Sequence, residues 1–170
     1  ALTLAKQYPA LATGVHLNLL KGSPLQPSGK VHSLVDSKGV FFTLPFFTLR
    51  LLSGRIVLAE VEKELRSQID KILAAGLQVT HLDSHRHFHV YPSLLKLVIK
   101  LATEYKINKI RCPLSLSVLP GSVKELILNS LSRNARHSLD AGNISHNNNF
   151  FELVKIEGKS DPISALVKFT

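Results

Sequence analysis

The stretch Gln78-Val-Thr-His81-Leu-Asp83-Ser-His85-Arg-His87-Phe-His89 decides how this chain is read. Its first six residues have the β-branched and alternating character of a short strand. Residues 81, 83, 85 and 87 share one face for as long as the strand lasts. A helical pattern follows, with Leu94, Leu97, Val98 and Leu101 at three- and four-residue steps over 94–105 and Ser93 as candidate N-cap. A strand running into a helix, with the polar residues at the junction, is the arrangement in which parallel α/β folds build sites.

Working outward, the same alternation recurs. Residues 13–20 (TGVHLNLL) read as a strand with Val15, Leu17 and Leu19 on one face and His16 and Asn18 on the other. Residues 21–29 are rich in Gly, Pro and Ser and read as a loop. Residues 56–75 form a helix with Val61, Leu65, Ile69, Ile72 and Leu73 in register, stopped by Gly76. Residues 109–112 read as a strand ended by Pro113, and Ser122 with Glu125 forms a capping box for a helix to about residue 133. A polar tail begins at Asn134 and a last strand is expected over 150–156, while residues 2–9 look helical. The succession is that of a parallel α/β architecture in one domain, 1–170, with no internal repeat.

Residues 40–52 (VFFTLPFFTLRLL) are apolar but are interrupted by Pro45 and Arg50. They read as a lid-like loop or an interface patch, and no run reaches the roughly 18 apolar residues of a membrane span. The net charge of +9 is scattered without a dense basic run, so a solvated surface is expected and nucleic acid is not. A single cysteine, Cys112, excludes an internal disulfide and fits a reducing, cytoplasmic setting. The chain contains no methionine, as expected of an internal piece of a longer protein.

Four histidines and an aspartate within nine residues are hard to explain by packing, because each buried imidazole needs partners. Imidazoles with a neighbouring carboxylate suit a divalent metal. His16, distant in sequence but on a strand's polar face, is a second candidate donor; alone it reads more readily as a hydrogen-bonded core or surface residue. The cluster by itself leaves a metallohydrolase, a metal-storage segment and a structural zinc clip open. The last is disfavoured by the lack of cysteines. Glu64 and Gln68 lie one helical turn apart and read as structural, and His32, His137 and His146 as loop residues.

Gly14-Val-His-Leu-Asn-Leu-Leu with Gly22 and Pro24, the Glu64/Gln68 pair, Thr80-His-Leu-Asp-Ser-His-Arg-His-Phe-His and Ile110-Arg-Cys-Pro113 occur in this order. In this the chain resembles the YdjC/ChbG-like carbohydrate deacetylases, which include chitooligosaccharide deacetylases and relatives in hopanoid biosynthesis. The resemblance covers most of the chain to about Pro113. It implies a distorted (β/α), TIM-like barrel, incomplete in this chain because a barrel takes about 250 residues. It also implies a divalent metal, Mg²⁺ or Zn²⁺, held by two histidines matching His16 and His85 and by an aspartate of an Asp-Asp pair that this sequence lacks. The implied activity is metal-dependent removal of an N-acetyl group from an amino sugar or oligosaccharide. The alternative is a catalytically inactive metal- or carbohydrate-binding relative. His81, Asp83 and His87 are then the catalytic candidates: Asp83 to orient a ligand imidazole, His81 and His87 to donate to substrate or oxyanion. Arg111 is the candidate for substrate binding. An N-acetylated sugar is the expected partner, with a homodimer left open.

Overall fold

The computed structural model describes residues 2–8, 10, 12–114 and 123–148. The elements run α1 (Leu2–Gln7), β1 (Thr13–Leu17), α2 (Leu44–Leu52), α3 (Leu58–Ala74), β2 (Val79–Ser84), α4 (Pro92–Glu104) and α5 (Val123–Ala141). β1 and β2 pair in parallel, with Gly14 opposite His81, Val15 opposite Leu82, His16 opposite Asp83 and Leu17 opposite Ser84. Two further extended segments continue the sheet by single parallel bridges, Leu82 to Ile110 and Lys109 to Ser145. Backbone hydrogen bonds from Arg111 N to Leu82 O (3.0 Å) and from Ile110 N to Ser145 O (3.0 Å) hold them. The molecule is therefore mixed α/β with parallel strands, each joined to the next through helix.

The sheet has two chemically different faces, and the period of two in each strand creates them. Val15, Leu17 and Leu82 are buried in one core with Leu65 and Ile69 of α3, Leu94 and Val98 of α4 and Leu139 of α5. Burying side chains of this size contributes about 1.5–3 kcal/mol each. The opposite face carries Gly14, His16, His81, Asp83, Lys109 and Arg111, as the register requires.

α3 is amphipathic because Val61, Leu65 and Ile69, all fully buried, recur every four residues. It ends where Gly76 takes φ +77°, the left-handed conformation that a glycine supplies at least cost. Its polar positions do equally specific work. Glu64 is fully buried and accepts the backbone N–H groups of Leu25 (3.0 Å) and Gln26 (2.9 Å). Gln68 donates to Glu64 and also grips both backbone groups of Asn18, accepting from N (2.8 Å) and donating to O (2.7 Å). Glu60 accepts the N–H of Ser33 at 2.8 Å. Three polar side chains on successive turns thus tie down the loop that leaves β1, because its backbone donors have no strand partner.

Several expectations are corrected. Residues 40–52 are not a loop: α2 forms over Leu44–Leu52, with Pro45 in its first turn, where the missing N–H costs nothing. Phe47 of α2 is fully buried, 6.5 Å from the ring of Phe88. α4 starts at Pro92, two residues before the expected Leu94, with Tyr91 rather than Ser93 as N-cap. α5 runs to Ala141 rather than residue 133, because Ser132, Ala135 and Leu139 continue its buried stripe. His137 consequently lies on a helix, not in a loop. Residues 109–112 contribute bridges rather than a named strand. Ser122 and the strand expected over 150–156 lie outside the described residues. Among the described residues no helix is long and apolar enough to cross a membrane.

Candidate active site

The polar face converges on Asp83. Its Oδ1 accepts the Nδ1 proton of His16 at 2.6 Å, and its Oδ2 accepts Arg111 Nη1 at 2.9 Å. The carboxylate is 12% exposed, whereas His16 is 56% and Arg111 40% exposed. An anion sunk between two partly open donors fixes both of them. The pairing follows from register: His16 lies opposite Asp83 across the parallel ladder, and Arg111 follows Ile110, the bridge partner of Leu82.

Because Nδ1 of His16 carries the proton that Asp83 accepts, Nε2 of the neutral ring keeps its lone pair. A carboxylate behind an imidazole is the usual way of presenting the other nitrogen to a metal. His85 stands beside it, with ring centroids 5.8 Å apart and planes at 78°. Partial burial, and then the proximity of His16, Arg86 and Lys21, push the His85 imidazole below the usual histidine range. The neutral, lone-pair form that coordinates cations is thereby favoured. Two such nitrogens fit part of a divalent-cation shell. Among the described residues no three His, Cys, Asp or Glu side chains gather into a full one.

β2 ends at Ser84, and the chain then turns sharply over 85–90. Arg86 (φ 54°) and His87 (φ 57°) are both left-handed without being glycine, a local cost that a packed surround must offset. His87 is half-buried in this turn and near enough to His89 to lower the latter's affinity for a proton.

His81 sits one layer away. Thr80 Oγ1 donates to the Thr13 carbonyl (3.1 Å), so its contact with His81 Nδ1 (3.0 Å) is one in which the imidazole donates. Nε2 of the neutral ring is then an acceptor. The tip of this ring fills the space above Gly14: a Cβ there would stand 2.3 Å from His81 Nε2. The glycine of the 13–17 strand is needed for this close approach. His81, Lys109, Arg111, Ser145, His146 and Asn147 line an open pocket of about 390 Å³ on the same face.

Sequence reading gave no role to several contributors. Lys109 and Ser145 reach the pocket through bridges too short to leave a pattern. His89 is buried behind the sheet between Ser84 Oγ (2.6 Å) and the Arg111 carbonyl (2.8 Å). Its burial is signalled only by the apolar Phe88 and Val90 on either side. Of the histidines left unassigned, His32 pairs with Glu60 (2.9 Å) and His146 with Asp140 (2.9 Å).

Comparison with known proteins places these residues in context. The family described as YdjC-like protein matches residues 1–167. A carbohydrate deacetylase of Brevibacillus brevis is 43% identical over 110 residues, covering 63% of this chain and 40% of that protein. A chitooligosaccharide deacetylase of Yersinia enterocolitica is 34% identical over 131 residues, covering 76% of this chain and 48% of that one. The chain thus spans less than half the length of these relatives. A crystal structure of an Enterococcus faecalis protein, provisionally described as a cellobiose-phosphate cleavage protein, shares the fold. Its TM-score is 0.66 at 24% identity, covering 99% of this chain and 58% of that one.

Proposed function

This chain belongs to the YdjC-like protein family, and on that premise we propose that it is part of a metal-dependent deacetylase that hydrolyses the N-acetyl group of an amino sugar or oligosaccharide. The observation that carries the reading is the relay His16–Asp83–Arg111 with His85 against its open end. The β–α succession is read as one arc of a (β/α) barrel whose inner face is the polar face. That is where barrels place their chemistry.

Under this reading His16 and His85 would hold a divalent ion, and the chemistry it would supply there is activation of water and polarisation of the acetyl carbonyl. Imidazole donors suit zinc and similar transition ions better than magnesium. Asp83 holds His16 in the tautomer that leaves Nε2 available, and Arg111 balances the charge of Asp83. Arg111 lines the pocket, where it binds a sugar hydroxyl or the acetyl oxygen. His81 lines the same pocket; its Nε2 donates only when the ring carries both protons, and otherwise accepts. His87 completes the substrate side from the turn.

The test is a titration of Zn²⁺ and Mg²⁺ into the parent chain and into His16→Ala and His85→Ala variants. Affinity is expected to fall at least about tenfold in each variant, as for loss of a ligand. Unchanged affinity in both would remove the metal reading. Acetate release from N-acetylglucosamine oligomers by the metal-loaded parent then separates a deacetylase from an inactive relative that only binds metal or sugar.

A further inference from the structure

His89 is a deeply buried titratable group, 1% exposed, and the chemistry above makes no use of it. Its contacts determine its protonation state. The Arg111 carbonyl can only accept, so Nε2, 2.8 Å away, carries the proton and donates. Nδ1 of the neutral ring is then a lone pair, and Ser84 Oγ, at 2.6 Å, donates to it. The Ser84 oxygen in turn accepts the backbone N–H of His89 at 3.3 Å. Every side-chain polar atom of the Ser84–His89 pair is satisfied in a single arrangement.

The consequence lies on the other face of the sheet. Arg111 is held twice, its guanidinium by Asp83 on the polar face and its carbonyl by His89 from behind. Ser84, the other end of the clamp, lies between Asp83 and His85. The same contact closes the 85–90 turn, in which two left-handed residues must be held in place. We propose that His89, clasped between Ser84 and the Arg111 carbonyl, is the positioning residue that sets Arg111 and the His85 turn against Asp83. In its effect on catalysis this rests on the deacetylase reading, in which Arg111 binds the sugar.

Two side chains divide the clamp. His89→Gln keeps an amide donor at the reach of Nε2 and retains the Arg111 contact. His89→Asn places its amide at the position of Nδ1 and retains only Ser84. NMR of the ¹⁵N-labelled parent should show His89 as the Nε2–H tautomer with a slowly exchanging proton. It should also show Arg111 guanidinium resonances protected by Asp83. That protection is expected to persist in His89→Gln and to be lost in His89→Asn and in the volume-filling His89→Phe. With N-acetylglucosamine oligomers, KM should rise about tenfold in the Asn variant, moving more than kcat, and stay near the parent value in the Gln variant. Undisturbed Arg111 resonances in a folded Asn or Phe variant would overturn the proposal, as would the Nδ1–H tautomer in the parent. If the parent releases no acetate, the deacetylase reading falls, and the NMR measurements still decide the role of His89.

Discussion

At the scale of single residues, a buried imidazole couples this fold to acidity. Burial, set against the donation to the Arg111 carbonyl, lowers the His89 pKa to about 4. In the unfolded chain it returns to about 6.5. Between those values the unfolded chain binds more protons than the folded one, so stability rises with pH. The contribution is complete above about pH 6.5 and is lost as pH falls towards 4, to a limit of about 3 kcal/mol. Urea unfolding from pH 7 to pH 4 should show that slope in the parent and a flatter one in His89→Gln; equal slopes would contradict it. Gly14 offers a second case. A methyl group at 14 meets the His81 ring at 2.3 Å, so Gly14→Ala is expected to cost about 1–3 kcal/mol. His81→Ala in the same chain should recover part of that loss, and simple additivity in a double-mutant cycle would show that the two do not touch. The histidine cluster was legible as chemistry from composition alone. Which imidazole faces the cavity and which lies behind the sheet was not, because the strand ends at Ser84 and the period of two ends with it.

At the scale of elements, α3 does more than its apolar stripe requires. Glu64 accepts two backbone N–H groups of the 18–34 loop, and it is fully buried. Glu64→Ala strands those two part-buried donors and should destabilise the fold by about 2–6 kcal/mol, at about 1–3 kcal/mol for each donor left without a partner. Thermal unfolding compared with Glu64→Gln, which keeps one acceptor, would show a clearly smaller loss if this account holds. Arg66 makes the contrasting case. It bonds Glu62 and Glu104 and so joins α3 to α4, but half-exposed ion pairs of this kind contribute little. Arg66→Ala is expected to cost less than about 1 kcal/mol, and less again in high salt. The sequence showed Glu64 and Gln68 on one helical face. That their partners are backbone groups of a distant loop could not be read, since such groups are the same at every position.

At the scale of the whole molecule, the charge of +9 is spread over many elements, and several basic groups are already paired with carboxylates. Weak, salt-sensitive attraction to polyanions is therefore the most this surface should give. Retention of duplex DNA on a filter is expected to vanish between 50 and 200 mM salt, and tight binding that survived would point to a different partner class. Residues 40–52 show how whole-molecule context overrides local reading. Pro45 looked like a breaker, yet a proline in the first helical turn is harmless, and Phe47 gains a buried place against Phe88 once α2 forms.

The sequence alone determined the alternation of strand and helix, the buried stripes, and the two motifs that mark the family, because each rests on local periodicity or residue type. Tertiary structure alone decided that His16, Asp83, His85 and Arg111 meet. It also decided that His89 stands behind them. Those meetings depend on parallel register between segments some 67 and 28 residues apart in the pairs His16–Asp83 and Asp83–Arg111. Register is fixed by burying one face of the whole sheet, which no single segment encodes.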